Sequence, residues 1–271
     1  MGRVVFRFFW RSVTLCRLFG VPVQFHTTTL LYPTGYFLWL GWDGRGWQNF
    51  TLTFSLLGIF WLSLLFHEFA HILTARRCGI GTDRMLFHPF GAVALLDAPP
   101  RMGREFWIAI AGPLGSLALA GISMLIAWAV QHHIHGLSWR SMREHEWLYC
   151  MRRLSKDAVW LNLYIAAFNM IPVYPMDGAR VLRSVLSVGL SRFTSRTRDQ
   201  ALVTATWILV RCIAWPLALC LVGFIIIRLF SSEDRVLGFV LLPDMILAAL
   251  LLFAGEMEYR VLRDDPFEDD C

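Results

Sequence analysis

The sequence predicts an all-α polytopic membrane protein of about six transmembrane helices with short interfacial strands, and three observations carry that prediction. Of its 271 residues, 56% are hydrophobic and only 17% charged, more apolar surface than a water-soluble domain can hide. Mean hydropathy is +0.53, and 12 Trp with 21 Phe call for a lipid solvent around several segments. Apolar runs long enough to cross a bilayer recur at about 26–42, 50–75, 106–130, 158–175, 201–227 and 236–254.

The first run is interrupted by Pro33 and Gly35, and Gly20 to His26 before it alternates like a short strand lying at the interface. His26 opens that span, either starting its helix or lining a pocket. The third run holds Ala111-Gly112-Pro113-Leu114-Gly115-Ser116, in which Gly112, Ser116 and Ala120 form a small-residue stripe. Such stripes let helix backbones approach closely, so this span is expected to pack on its neighbours with a local kink at Pro113. Between the third and fourth runs, Trp139, Met142, Trp147, Leu148, Met151 and Leu154 alternate with charges, the pattern of an amphipathic helix on the membrane surface. The fifth run carries Arg211 and the sixth the Pro243-Asp244 pair. The acidic tail from Asp264 to Cys271 is expected to be solvated. With no internal repeat or soluble appended domain in the sequence, residues 1–271 are expected to form one membrane-embedded domain with a core at about 50–180.

The net charge of +5 does not point to nucleic acid, because the arginines sit in short loops between apolar runs and form no basic domain. They set topology instead. Six spans place both termini on one side. Leaving out Arg211 and Arg228 within spans, that side carries sixteen basic residues and the other seven, which predicts cytoplasmic termini. The six cysteines, at 16, 78, 150, 212, 220 and 271, lack CxxC spacing and so suggest neither a disulfide framework nor a thiolate metal site. The basic start, Met1 to Arg11, is not followed by a short apolar stretch with a small-residue cleavage site, so no removable signal peptide is expected.

Near the end of the second run the chain reads His67-Glu68-Phe69-Ala70-His71, an HExxH pattern inside an apolar helix. Two histidines four residues apart share a helical face and can bind one zinc ion through ring nitrogens, while the adjacent Glu68 can act as general base toward water. Polar residues at membrane depth are costly and usually face a polar cavity. A tetrahedral catalytic zinc needs a third protein ligand, and Asp177 is the best candidate. It follows Asn169 to Met176 at the foot of the fourth run, and the level of its side chain matches that of His71, about 7.5 Å of helix rise from Arg76. The rival carboxylate, Asp244, sits in a span that starts on the opposite face. Pro172 and Pro175 stop the fourth helix from running regularly to its end, and irregular backbone at membrane depth is tolerated only beside protein or a water-filled cavity. Asn169 either donates a hydrogen bond to a substrate carbonyl or caps the broken backbone. His88 reads as a surface residue.

These segments resemble the site-2 protease family of intramembrane zinc metalloproteases, in particular its bacterial sporulation-protease-like branch. The resemblance rests on His67 to His71 (HEFAH), Ala111 to Ser116 (AGPLGS) and Asn169 to Gly178 (NMIPVYPMDG), with Arg17 to His26 and Met85 to Leu95 similar to that branch's entry segment and strand-bearing loop. It implies that His67, His71 and Asp177 hold one Zn2+ per chain, that Glu68 activates water, and that the second to fourth spans form a three-helix catalytic core. It also implies a bacterial cell membrane. Ser116 stands where many relatives carry Asn, and Met176 where Leu is usual. No PDZ insertion or C-terminal nucleotide-binding module is seen in the sequence.

The expected function is therefore regulated intramembrane proteolysis. A zinc endopeptidase would cut a peptide bond within or near a transmembrane segment of another membrane protein, with the active site facing the cytoplasm. The loop 85–95, with Phe87, Phe90, Val93 and Leu95 alternating, could offer a strand edge to the extended substrate. The sequence leaves the oligomeric state open. A zinc transporter or metal-sensing membrane protein using the same ligands is the alternative, but the outer halves of the second to fourth spans lack the polar stepping sites transport needs, and Glu68 has no necessary role in a carrier. A prenyl-protein-type protease would need a downstream Glu or His as third ligand, and no apolar helix supplies one.

Overall fold

A computed structural model describes residues 12–30, 46–88, 91–97, 102–135, 146–194, 197–231 and 237–264. In chain order its elements are β1 (Ser12–Leu18), β2 (Val21–His26), a 3-10 turn (Thr27–Leu30), α1 (Gly46–Arg77), β3 (Thr82–His88), β4 (Gly91–Leu96), α2 (Met102–His135), α3 (Glu146–Asn169), α4 (Asp177–Phe193), α5 (Arg198–Leu209), a π-helical turn (Val210–Ala214), α6 (Trp215–Ser231) and α7 (Leu237–Asp264). Two compact units divide the chain, one of residues 1–100 and 111–167, the other of residues 101–110 and 168–271.

The first unit contains a four-stranded sheet in the order β1-β2-β3-β4. Phe19 (φ 50°) and Gly20 (φ 82°) form the turn between β1 and β2, and two positive φ values in succession supply the twist a tight hairpin needs. β1 and β2 are antiparallel, as are β3 and β4, whereas β2 and β3 are parallel with Val23 opposite Met85 and Phe25 opposite Phe87. Parallel neighbours require a long crossover, and α1 lies between them in the chain. Period-two alternation buries Val21, Val23, Met85 and Phe87 on one face, against Leu64, Phe69 and Ile72 of α1 and Ile165 of α3. A polar tie joins the same two helices: the buried Asn162 amide donates to Ser63 Oγ at 2.9 Å and to its own helix at Ala158 O at 2.8 Å. Hydrogen bonds of this kind between apolar helices are worth about 0.6–2 kcal/mol.

Three helical stretches among the described residues are long and apolar enough to cross a membrane, Phe54–Arg77, Gly103–His133 and Gln200–Ile225. They coincide with the second, third and fifth expected spans, and Pro113 lies inside an unbroken α2. The expected first span does not begin at residue 26. Pairing with β3 keeps Val21–His26 extended, so His26 ends a strand and a 3-10 turn follows; residues 31–42 of that span lie outside the described residues. The expected surface helix and fourth span are also corrected, because from Glu146 onward they form one continuous helix, α3. Its first half carries Arg152, Arg153, Lys156 and Asp157, with Arg153 Nε 3.9 Å from the Asp157 carboxylate one turn on. The sixth expected span falls within α7, which continues through Pro243 and Asp244.

In the second unit, Tyr174, Ala179, Leu209 and Val210 form a buried cluster. The π-helical turn brings Arg211 to Glu256 of α7 at 3.1 Å and lays its guanidinium 5.1 Å from the centre of the Trp215 ring. A charge inside the fifth expected span is thus paired with a carboxylate of a neighbouring helix, the kind of partner such charges usually find.

Candidate metal centre

α1 begins far from its metal-ligand motif and carries it in its last three turns. His67 and His71, four residues apart, project from one face and are both buried. Their Nε2 atoms lie 3.2 Å apart. Two nitrogens each about 2.0–2.1 Å from a tetrahedral ion would stand about 3.3–3.4 Å apart, so the observed spacing fits a pair able to share one metal ion. The Nδ1 of His67 lies 2.9 Å from the Ser116 hydroxyl on α2, also fully buried. With Nδ1–H donating to Ser116 Oγ, Nε2 keeps a lone pair that a metal ion could use.

The stripe on α2 explains how a second helix can lie against two histidine rings. A Cβ at Gly112 would stand 2.1 Å from His71 Nε2 and 2.6 Å from His67 Nε2, and one at Gly115 2.8 Å from the Ala70 methyl. Only glycine leaves the space in front of both nitrogens open. The expected packing role of the stripe therefore includes close approach of Gly112 and Ser116 to the two histidines. Ser116, expected as a packing residue of the stripe and a departure at a secondary contact, also meets the His67 ring through its hydroxyl. The hydroxyl in an otherwise apolar small-residue stripe was the signal that could have found it.

Glu68 is half-buried beside the pair and turns to the sheet. Its Oε2 accepts a hydrogen bond from the Ala94 amide of β4 at 3.1 Å. The loop expected to bear a strand is thus a hairpin, β3–β4, and its outer strand engages the carboxylate next to the first histidine. Phe87 faces the core and Val93 and Leu95 are partly exposed, whereas Phe90 and the His88 side chain lie outside the description.

Asp177 belongs to the second unit. α3 ends at Asn169, which is half-buried at the helix terminus rather than deeper within it, and residues 170–176 follow as irregular backbone with a cis Tyr174-Pro175 bond. The segment closes on itself through short bonds, Ile171 N to Phe168 O at 3.2 Å, Val173 N to Ile171 O at 2.8 Å and Met176 N to Val173 O at 2.9 Å. Its prolines break the helix as expected, and Asp177 is then the first residue of α4, buried at a helix N-terminus where backbone N–H groups favour a carboxylate. Gly178 permits the fold-back, since a Cβ there would meet Met170 O at 2.3 Å and Ile171 O at 2.6 Å. Asp244 lies within α7, eight residues into that helix.

Comparison with known proteins agrees with this architecture. The chain is 30% identical over 177 residues to a zinc metalloprotease of Methanocaldococcus jannaschii, covering 65% of this chain and 46% of that protein. It is 28% identical over 195 residues to Rip3 of Mycobacterium tuberculosis, covering 65% and 44%. The matched region thus spans about half the length of these relatives. The solved structure of the site-2 protease from Methanocaldococcus jannaschii is similar at a TM-score of 0.56 and 25% identity, covering 93% of this chain and 96% of that one. Residues 55–137 and 145–212, which include the paired histidines, the glycine-bearing helix against them and the Asp177 segment, match the model of peptidase family M50, and the chain belongs to that family.

Proposed function

We propose that this protein is a membrane-embedded zinc endopeptidase that cuts a peptide bond within or near a transmembrane segment of another membrane protein, as in regulated intramembrane proteolysis. The observation that carries the reading is the pair of buried Nε2 atoms 3.2 Å apart with a carboxylate on the next residue. His67 and His71 supply two ligands and Asp177 the third, one ion per chain. Zinc bound there would polarise the scissile carbonyl and ease deprotonation of water. Glu68 takes that proton, a general-base contribution of about 100- to 10,000-fold in rate. Asn169, at the break where α3 ends, is assigned to the substrate carbonyl. The outer edge of β4 offers backbone partners to a substrate that has left its own helix, since carbonyls engaged in a helix cannot be attacked. Three helical stretches of membrane-crossing length support a bilayer setting. The excess of basic residues in alternate loops supports termini and a site on the cytoplasmic side.

The test is Glu68→Gln in proteoliposomes with a single-span substrate. Zinc content should be retained and cleavage should fall by at least about 100-fold; cleavage at the wild-type rate would refute the assignment. Zinc content should survive Asp244→Asn and fall in Asp177→Ala.

A further inference from the structure

We propose that Arg183 is a positioning residue for the metal centre: clamped between the carboxylates of Glu105 and Glu258 and laid over the Tyr174 ring, it sets the rotation of α4 and so the direction in which Asp177 presents its carboxylate. The inference rests on the reading of Asp177 as a zinc ligand.

Arg183 is buried at 6% exposure, on the same helix as Asp177. Its Nη2 pairs with Glu105 in the first turn of α2, its Nη1 lies 2.6 Å from Glu258 Oε1 of α7, and its Cζ stands 5.5 Å from the centre of the Tyr174 ring. Three separate segments therefore grip one guanidinium, including the irregular stretch that leads into Asp177. Burial works against its charge, but Glu105, Tyr174 and Glu258 together more than offset that, so its pKa stands above the ordinary arginine value. The guanidinium stays charged at any working pH.

Such a cluster is poorly explained as a source of stability. Desolvating three charges costs about as much as their attraction returns, and well-packed apolar residues often do as well. What a forked, two-carboxylate clamp does supply is one orientation. Arg183 lies six residues beyond Asp177, about 9 Å along the axis and about 120° around it, so it fixes the azimuth of the helix without crowding the carboxylate. Gly178, tight against the carbonyls of Met170 and Ile171, fixes how far α4 can slide. Ala179, fully buried in the cluster with Tyr174, leaves no slack between these two points. A metal ligand displaced by a small rotation loses affinity, which is how groups behind the ligands tune a site.

Zinc affinity, read by competition with a chromophoric chelator on the purified full-length protein, tests this without any reference to cleavage. Wild type, Arg183→Met, Asp177→Ala and the double variant form one cycle. Arg183→Met should weaken zinc binding about 10- to 100-fold, and in the Asp177→Ala background the same change should matter less than about twofold. A purely structural role would lower thermal stability and leave the zinc cycle additive. Equal losses in both backgrounds, or wild-type affinity in Arg183→Met, would overturn the inference. Wild-type affinity in Asp177→Ala would overturn instead the ligand assignment beneath it. Glu105→Gln, which keeps the side chain's shape, goes through the same cycle under the same criteria should Arg183→Met not fold.

Discussion

The backbone amide of Ala94 donates a hydrogen bond of 3.1 Å to the carboxylate of Glu68. The outermost strand of the sheet thus touches the residue assigned as general base and is tied to the helix that carries His67 and His71. Ala94→Pro removes that N–H while leaving the ligands untouched. A hydrogen bond to a charged group contributes about 1.5–3 kcal/mol, so cleavage should fall about 10- to 100-fold with zinc content unchanged. Steady-state proteolysis and metal analysis on the same preparation check both halves.

Gly112 and Gly121 lie on the same helix in opposite circumstances. A methyl at Gly112 enters the space in front of both histidine nitrogens, while at Gly121 nothing stands within 4 Å. Gly112→Ala should abolish zinc binding, and Gly121→Ala should leave it at the wild-type level. Equal zinc content in the two variants would mean that the packing of α2 on α1 differs from the one described.

Ser116→Ala frees His67 to change tautomer and rotamer. Loss of a group that orients a metal ligand typically costs about 10- to 100-fold in affinity. Chelator competition should show that loss, whereas circular dichroism should show an unchanged helix content, because a buried hydroxyl is replaced by hydrogen without a change in backbone.

Sidedness follows from the charge count. Phe193, at the end of α4, is 90% exposed, and it falls in the fourth loop, expected in the cytoplasm. In a cysteine-free background, Phe193→Cys should resist a membrane-impermeant thiol reagent applied to intact cells and react in inverted vesicles. Labelling from outside would reverse the topology and the predicted side of water access.

What the sequence by itself determined is what depends on short range. Four-residue spacing on a helix is enough to place His67 and His71 on one face, runs of apolar residues are enough to mark the helices of α1, α2 and α5–α6, and Pro172 with Pro175 is enough to end α3 before Asp177. Alternation in Gly20 to His26 was legible as a strand for the same reason. The rest depended on partners far along the chain. His26 ends a strand, rather than opening a span, because Val23 to Phe25 pair with β3 from about sixty residues away. Residues 146–157 carry charges that read locally as a surface helix, yet they continue into the apolar half of α3 without a break, and charge pattern alone cannot mark where a helix fails to stop. Tertiary structure alone decided that Ser116 orients His67, that Ala94 holds Glu68 and that Arg183 meets Glu105 and Glu258. Each joins side chains or amides separated by 26 to 78 positions, and hydrogen bonds at that separation leave no periodic trace in a sequence.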